Sequence, residues 1–279
     1  VLKNATGYDL TSLMIGSEGT LGIITTIVFR LIPLPTKDIT LFVPFSSVEK
    51  ACEAVSAVFR AGIIPSALEF IERDAIDWTL KYTDVKLQIT KDVEAHLLVE
   101  VDGNDMDVLY KECERIFEVM QEFECGEILL ADSESQKNQL WQLRRAIGEA
   151  VKSNSIYKEE DTVVPRAELS KLLKGVKAIG KQYGFQSVCY GHAGDGNLHV
   201  NIIKGEMSDE DWNTKLTLGI REIFELTKSL GGTLSGEHGI GLVQKDYMDI
   251  VFCEKALELQ KGIKNLFDPY GILNPGKIL

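Results

Sequence analysis

The segment Ser187–Ile203, SVCYGHAGDGNLHVNII, constrains this chain more than any other. Asp195-Gly196 is a strong two-residue turn signal, because both central positions of a type I′ turn take positive φ. A hairpin closed there sets His192 opposite His199, Tyr190 opposite Asn201 and Val188 opposite Ile203, all on one face. Cys189/Ile202 and Ala193/Leu198 then form an apolar reverse face. Opposed residues hold their Cβ atoms about 4.5–5.5 Å apart, so two imidazoles placed this way can reach one ion.

The competing reading is an ordinary pair of hydrogen-bonded or surface histidines. Against it, the chain has only 4 histidines, and a third stands in SGEHGIG as Glu237-His238. Flanking glycines there let backbone approach a ligand. Two histidines and a carboxylate (His192, His199, Glu237) suit a divalent metal, Zn²⁺ or Mn²⁺. Adjacent residues in extended backbone point apart, so His238 is left as a base for a hydroxyl acidified by the metal. His96, inside an apolar strand, reads as structural.

The rest of the chain frames that hairpin. Glycines 16, 19 and 22 form a tight loop feeding an apolar, alternating run over Thr25–Pro33, read as a strand. Pro33 and Pro35 then mark a boundary. Strands are predicted at Ile39–Pro44 and Ala95–Val101, and extended chain at Val163–Pro165. Ser46 to Glu49 has the capping-box form and opens a helix through Val48, Cys52, Val55 and Phe59. Further helices carry Leu109, Cys113, Ile116 and Met120 on one face, or run over 133–151, 166–183, 208–230 and 254–267. No internal repeat is visible in the sequence. The fold class implied is α+β: an antiparallel sheet with helices on one face, a ferredoxin-like cap domain. The domains expected are 1–34, 35–235 and 236–279.

Composition excludes some functions. The net charge of −12 argues against nucleic acid and against an anionic membrane surface. No run approaches the roughly 18 apolar residues of a transmembrane helix. The 5 cysteines (Cys52, Cys113, Cys125, Cys189, Cys253) are scattered, without a CxxC pair, and read as small core residues in a reducing compartment. A cytoplasmic location is the plain expectation.

Seven stretches, in order, resemble the vanillyl-alcohol-oxidase/p-cresol-methylhydroxylase flavoprotein superfamily: KNATGYDL, GSEGTLGIIT, LWQLRRAIGEAV, EDTVVPR, GHAGDGNLHVN, SGEHGIG and GILNPGK. They are most similar to the branch holding glycolate oxidase flavin subunits, D-lactate dehydrogenases and D-2-hydroxyglutarate dehydrogenases. The resemblance implies a flavin dehydrogenase with FAD as cofactor, oxidising a D-2-hydroxy acid to the 2-oxo acid. It implies that Gly16, Ser17, Glu18, Gly19, Thr20, Gly22, Ile23, Ile24 and Asn274 approach the flavin. It assigns the metal to His192, His199 and Glu237, the base to His238, and substrate contacts to Arg144 and Asn201. Tyr190, on the same hairpin face as Asn201, joins the substrate wall. An iron–sulfur electron-transfer subunit, a homodimer and a position peripheral to the inner membrane are further expectations.

Two departures bear on substrate. Glu159 stands where some relatives place a second basic residue, with Lys158 beside it, and Gly148 replaces a hydroxyl residue. Both tilt the reading from 2-hydroxyglutarate toward glycolate or D-lactate. The chain starts near the end of the family's FAD domain, so on its own it is expected to bind FAD poorly and to be inactive. An alkyl-glycerone-phosphate-synthase-like flavoenzyme, a metal-dependent hydrolase and a non-catalytic assembly domain are the alternatives.

Overall fold

Strands with one apolar and one mixed face need cover on both sides, and the computed structural model supplies it. It describes residues 3–87, 89–131 and 133–279. Two units divide it: Pro33–Gly236, and Val1–Ile32 with Glu237–Leu279. After the short α1 (Leu10–Met14), the large unit runs β1 (Lys37–Phe45), α2 (Val48–Arg60), β2 (Ala67–Glu72), α3 (Arg73–Tyr82), β3 (Ala95–Gly103), α4 (Met106–Glu122) and β4 (Leu129–Ala131). It continues with α5 (Glu134–Asn154), β5 (Tyr157–Val163), α6 (Leu169–Tyr183), β6 (Gln186–Gly191), β7 (Asn197–Ile203) and α7 (Asp209–Ser229).

The strands form one antiparallel sheet in the order β4-β1-β3-β2-β6-β7-β5. Its first four strands have the split-βαβ connection of a ferredoxin-like unit. The second half repeats that connection: α6 joins β5 to β6, and β7 returns between them. A lone bridge from Val163 to Thr233 then takes the place that β4 has in the first half. The halves meet where Ile71 pairs with Tyr190 and Phe70 with Gly191. The topology is thus doubled although the sequence shows no repeat, because buried strands share only a pattern of apolar residues.

The α+β class with an antiparallel sheet is present, but helices cover both faces rather than one. Residues three apart on a strand point to opposite faces. Glu69 pairs with Arg144 of α5, whereas Glu72 pairs with Lys177 of α6. On the α5 side, Phe42, Leu98, Ile71, Val188 and Ile203 pack with α3 and α5 residues such as Ile76, Leu143 and Ile147. On the reverse side, Leu41, Leu97, Val99, Val200 and Ile202 are fully buried.

Local signals account for most helix ends. Ser133 caps α5 through the Gln136 N–H, and Gly184 closes α6 at φ 84°. The cap of α2 is Ser47, whose Oγ accepts from Lys50 N–H, and not Ser46. The apolar run over Thr25–Pro33 forms no strand: Val28, Phe29, Leu31 and Ile32 are highly exposed and pair with nothing among the described residues. Alternation alone makes no strand without a partner edge. Among the described residues no helix is long and apolar enough to cross a membrane. All five cysteines are free; Cys52, Cys113 and Cys189 are buried, Cys125 is half-buried and Cys253 is exposed.

The second unit contains α1, α8 (Met248–Val251) and α9 (Glu254–Phe267). Its loops are tied together by Glu18, whose carboxylate accepts the Ile240 and Gly241 N–H groups at 2.7 and 2.8 Å.

Candidate functional site

The histidine hairpin is wider than its turn signal suggests. A 3-10 turn over Ala193–Asp195 and a left-handed Gly196 replace the type I′ turn, since only Gly196 has positive φ. The register therefore moves by two residues: Tyr190 faces His199, Val188 faces Asn201 and Gln186 faces Ile203. A shift of two preserves each residue's face. His192 leaves the strand for the head of the turn, yet its ring stays 5.6 Å from that of His199, edge to face.

Gly196 is fixed twice over. Its φ is +77°, and a Cβ would lie 2.0 Å from the Val164 carbonyl oxygen. Gly196→Ala is expected to cost well over 1 kcal/mol, roughly the penalty of a side chain at an incompatible backbone position. A urea midpoint within about 0.5 kcal/mol of wild type would show that the turn is built differently.

One rung crosses six strands: Pro44, His96, Ile71, Tyr190, His199 and Asp161. Its right-hand end and the next rung carry the polar wall. Asn201 is fully buried, and its amide makes no hydrogen bond of good geometry among the described residues, only a weaker contact with the Tyr190 hydroxyl. A buried amide in that state costs a few kcal/mol unless a ligand meets it. Tyr190 is buried, its ring 5.1 Å from that of His199. Burial pushes its hydroxyl well above the ordinary phenol range, with the nearby Glu159 carboxylate adding to the effect.

Arg144 belongs to this wall and is not a solvated helix arginine: it is buried. Its guanidinium lies 4.9 Å from the centre of the Tyr190 ring. Nε donates to Glu69 Oε2 at 2.8 Å; Nη2 is 2.7 Å from the same oxygen but off the hydrogen-bond line. The other carboxylate oxygen of Glu69 meets His192 Nδ1 at 2.7 Å. Burial pushes the Glu69 carboxyl up, but the His192 hydrogen bond and the Arg144 charge outweigh it and hold it below the usual range.

Two site residues, Glu69 and Asp161, escaped the sequence reading of roles, and a third, Glu159, entered it only as a departure from relatives. Glu69 lies on β2 (Ala67–Glu72), which is not among the predicted strands. Asp161 is fully buried opposite His199, with a carboxylate oxygen 3.7 Å from Nδ1. It accepts from Asn197 Nδ2 at 2.6 Å, Ser235 Oγ at 3.1 Å and Gly236 N–H at 2.9 Å. It thereby fixes the chain immediately before Glu237 and His238. Glu159, across from Asn201, places a carboxylate oxygen 3.5 Å from both the Tyr190 hydroxyl and His199 Nδ1. Lys158 faces the reverse side, 3.7 Å from Glu160, as alternation requires.

In the second unit, Gly16, Ser17, Glu18, Gly19, Gly22 and Asn274 line a concavity of about 560 Å³, which Ile23 and Ile24 extend. Asn274 Nδ2 donates to the Glu18 carbonyl at 2.5 Å. A Cβ on Gly19 would lie 2.7 Å from that nitrogen. Thr20 is buried beside this concavity, its hydroxyl donating to Ser17 O at 2.7 Å. Glu237 and His238 begin this unit's second segment, both side chains about half exposed.

In the large unit the two imidazoles of His192 and His199 are close together, and His192 Nδ1 is held by the Glu69 carboxylate, as is common for metal-binding histidines.

A family model described as FAD linked oxidases, C-terminal domain, matches residues 34–278. A D-lactate dehydrogenase of Anaerostipes hadrus is 35% identical over 100% of this chain and 60% of its own length. The glycolate oxidase subunit GlcD of Bacillus subtilis is 33% identical over 99% and 58%. A D-2-hydroxyglutarate dehydrogenase of Stutzerimonas stutzeri is 34% identical over 100% and 60%. The chain thus spans about 60% of the length of these curated relatives. Among solved structures, p-cresol methylhydroxylase with substrate bound aligns at TM-score 0.64 and 14% identity, over 90% of this chain and 54% of that one. Alkyldihydroxyacetonephosphate synthase aligns at TM-score 0.62 and 16% identity, over 98% and 51%. These likenesses carry the fold.

Proposed function

From its membership of the FAD-linked oxidases, C-terminal domain family, to which this chain belongs, we propose that it is the substrate-side part of a flavin-dependent D-2-hydroxy-acid dehydrogenase. Glycolate or D-lactate is the substrate of this reading. The observation that carries it is the buried Arg144, held by Glu69 on the sheet face that also bears Tyr190, His199 and Asn201.

A guanidinium matches a carboxylate bidentately, and Arg144 has the edge away from Glu69 for that task. Asn201 offers a donor and an acceptor to the substrate's polar atoms. His192 and His199, with Glu237, are the metal ligands of this reading, and His238 takes the hydroxyl proton. Gly16 to Thr20, Gly22, Ile23, Ile24 and Asn274 would hold part of the FAD, which would supply the hydride acceptor, and the metal would supply the charge that acidifies the substrate hydroxyl. An iron–sulfur acceptor subunit belongs to the same reading, supported by the likeness to a glycolate oxidase subunit.

Substrate length follows from two residues. Tyr190 Oη occupies the space beside Gly148, where a Cβ would sit 3.4 Å from it. The Glu159 carboxylate stands at the same hydroxyl. A second substrate carboxylate reaching this wall meets an anion, which favours a monocarboxylate over 2-hydroxyglutarate.

The test is anaerobic reduction of the flavin in the full-length protein by D-lactate, glycolate and D-2-hydroxyglutarate, before and after chelator. Bleaching by the two monocarboxylates, abolished by chelator, is expected. Bleaching by D-2-hydroxyglutarate alone overturns the length argument. A flavin untouched by any of the three overturns the activity.

A further inference from the structure

Resting on that reading, we propose that Glu69 is a positioning residue that fixes both the ligating nitrogen of His192 and the direction of Arg144. Glu69 lies in mid-strand on β2 and is 5% exposed. Its two oxygens are divided: Oε1 to His192 Nδ1, Oε2 to Arg144 Nε and Nη2. An ionised carboxylate only accepts, so Nδ1 must carry the proton in this pairing. In the neutral imidazole Nε2 is then the nitrogen with a lone pair, and the metal ligand is chosen by Glu69.

The same carboxylate occupies one edge of the Arg144 guanidinium. Five N–H groups in a rigid fork cannot all meet one oxygen, so the opposite edge is aimed away from β2. The Tyr190 ring beneath it, at 4.9 Å, limits tilt. One buried charge therefore sets two elements of the site, one on the β6–β7 hairpin and one on α5. Sequence separation hides this: Glu69 is 75 and 123 residues from its partners.

Glu69→Gln is a sharp probe because it is isosteric. Its single acceptor oxygen stays with Arg144, since an amide N–H₂ facing a guanidinium sets donor against donor. The amide then donates to His192 Nδ1, which must give up its proton. The variant is expected to move the proton to Nε2, the nitrogen the metal needs.

The experiment is ¹⁵N NMR of histidine-labelled, metal-free chain, whose 4 histidines are assigned by single substitution, together with Mn²⁺ titration. Wild type is expected to show a protonated His192 Nδ1, and Glu69→Gln a bare Nδ1 with Mn²⁺ bound about 10–100-fold more weakly. A bare Nδ1 in wild type overturns the proposal, and needs no variant. So does a folded Glu69→Gln with an unchanged His192 and Mn²⁺ affinity within twofold. If wild type binds no Mn²⁺, the metal reading fails by itself, while the position of the His192 proton still decides the role of Glu69.

Discussion

Arg144→Ala is expected to lower stability by about 3–5 kcal/mol, the cost of removing one partner from a buried ion pair. Both side chains are nearly excluded from solvent, 10% for Arg144 and 6% for Glu69. Taking the guanidinium away leaves the Glu69 carboxylate in a low-dielectric environment with His192 as its remaining strong partner. The wild-type balance, in which His192 and Arg144 outweigh desolvation, is then tipped toward desolvation. Urea denaturation at pH 7 reads the effect. Replacing both residues with methionine is expected to recover most of it, because two apolar groups of similar length leave no stranded charge. A loss below about 1 kcal/mol for Arg144→Ala would instead match a solvated surface pair and remove the structural basis for its role at a substrate carboxylate.

The contrast between Arg144 and Glu69 shows what a sequence of this kind discloses. Arg144 is identifiable through LWQLRRAIGEAV, but whether it is solvated or buried depends on what β2 places beneath α5. Glu69 carries no signal, because a buried glutamate on a strand violates the local preferences that identify strands. Helices fare better: Leu109, Cys113, Ile116 and Met120 line the buried face of α4, and α9 spans Glu254–Phe267. Their periodicity is local and needs no partner.

Strand readings fail where the partner decides. The alternating run after Gly22 has the pattern of a strand and no neighbour to make it one. In the hairpin, Asp195-Gly196 locates the reversal, yet a 3-10 turn replaces the two-residue turn, and the Val164 carbonyl, from a different connection, leaves no room for a side chain at Gly196. The faces of Tyr190, His199 and Asn201 survive the two-residue slip because alternation has period two. Pairing of His192 with His199 does not survive as a strand pair, although their rings stay 5.6 Å apart while the Glu69 carboxylate holds His192 Nδ1.

The second large effect concerns acid stability and the remaining strand histidine. His96 is buried, stacked on Phe42 with ring centres 4.2 Å apart, and its Nδ1 has no hydrogen-bond partner among the described residues. Desolvation, helped by the Arg73 charge, lowers its pKa from 6.5 to about 3. The imidazole is thus neutral in the fold across the range in which the unfolded chain takes up a proton. Below pH 6.5 the unfolded state binds more protons, so stability falls with falling pH at about 1.4 kcal/mol per unit until the folded-state group titrates near pH 3. At pH 4.5 the accumulated loss from His96 is about 3 kcal/mol. His96→Phe keeps a ring against Phe42 and removes the titration. The stability of the variant relative to wild type is expected to rise by about that amount between pH 7 and pH 4.5, with the carboxylates common to both proteins cancelling in the comparison. A difference that stays constant with pH would mean that His96 gains a proton in the folded protein as readily as in the unfolded one. His96 would then need a polar partner that its strand and Phe42 do not supply.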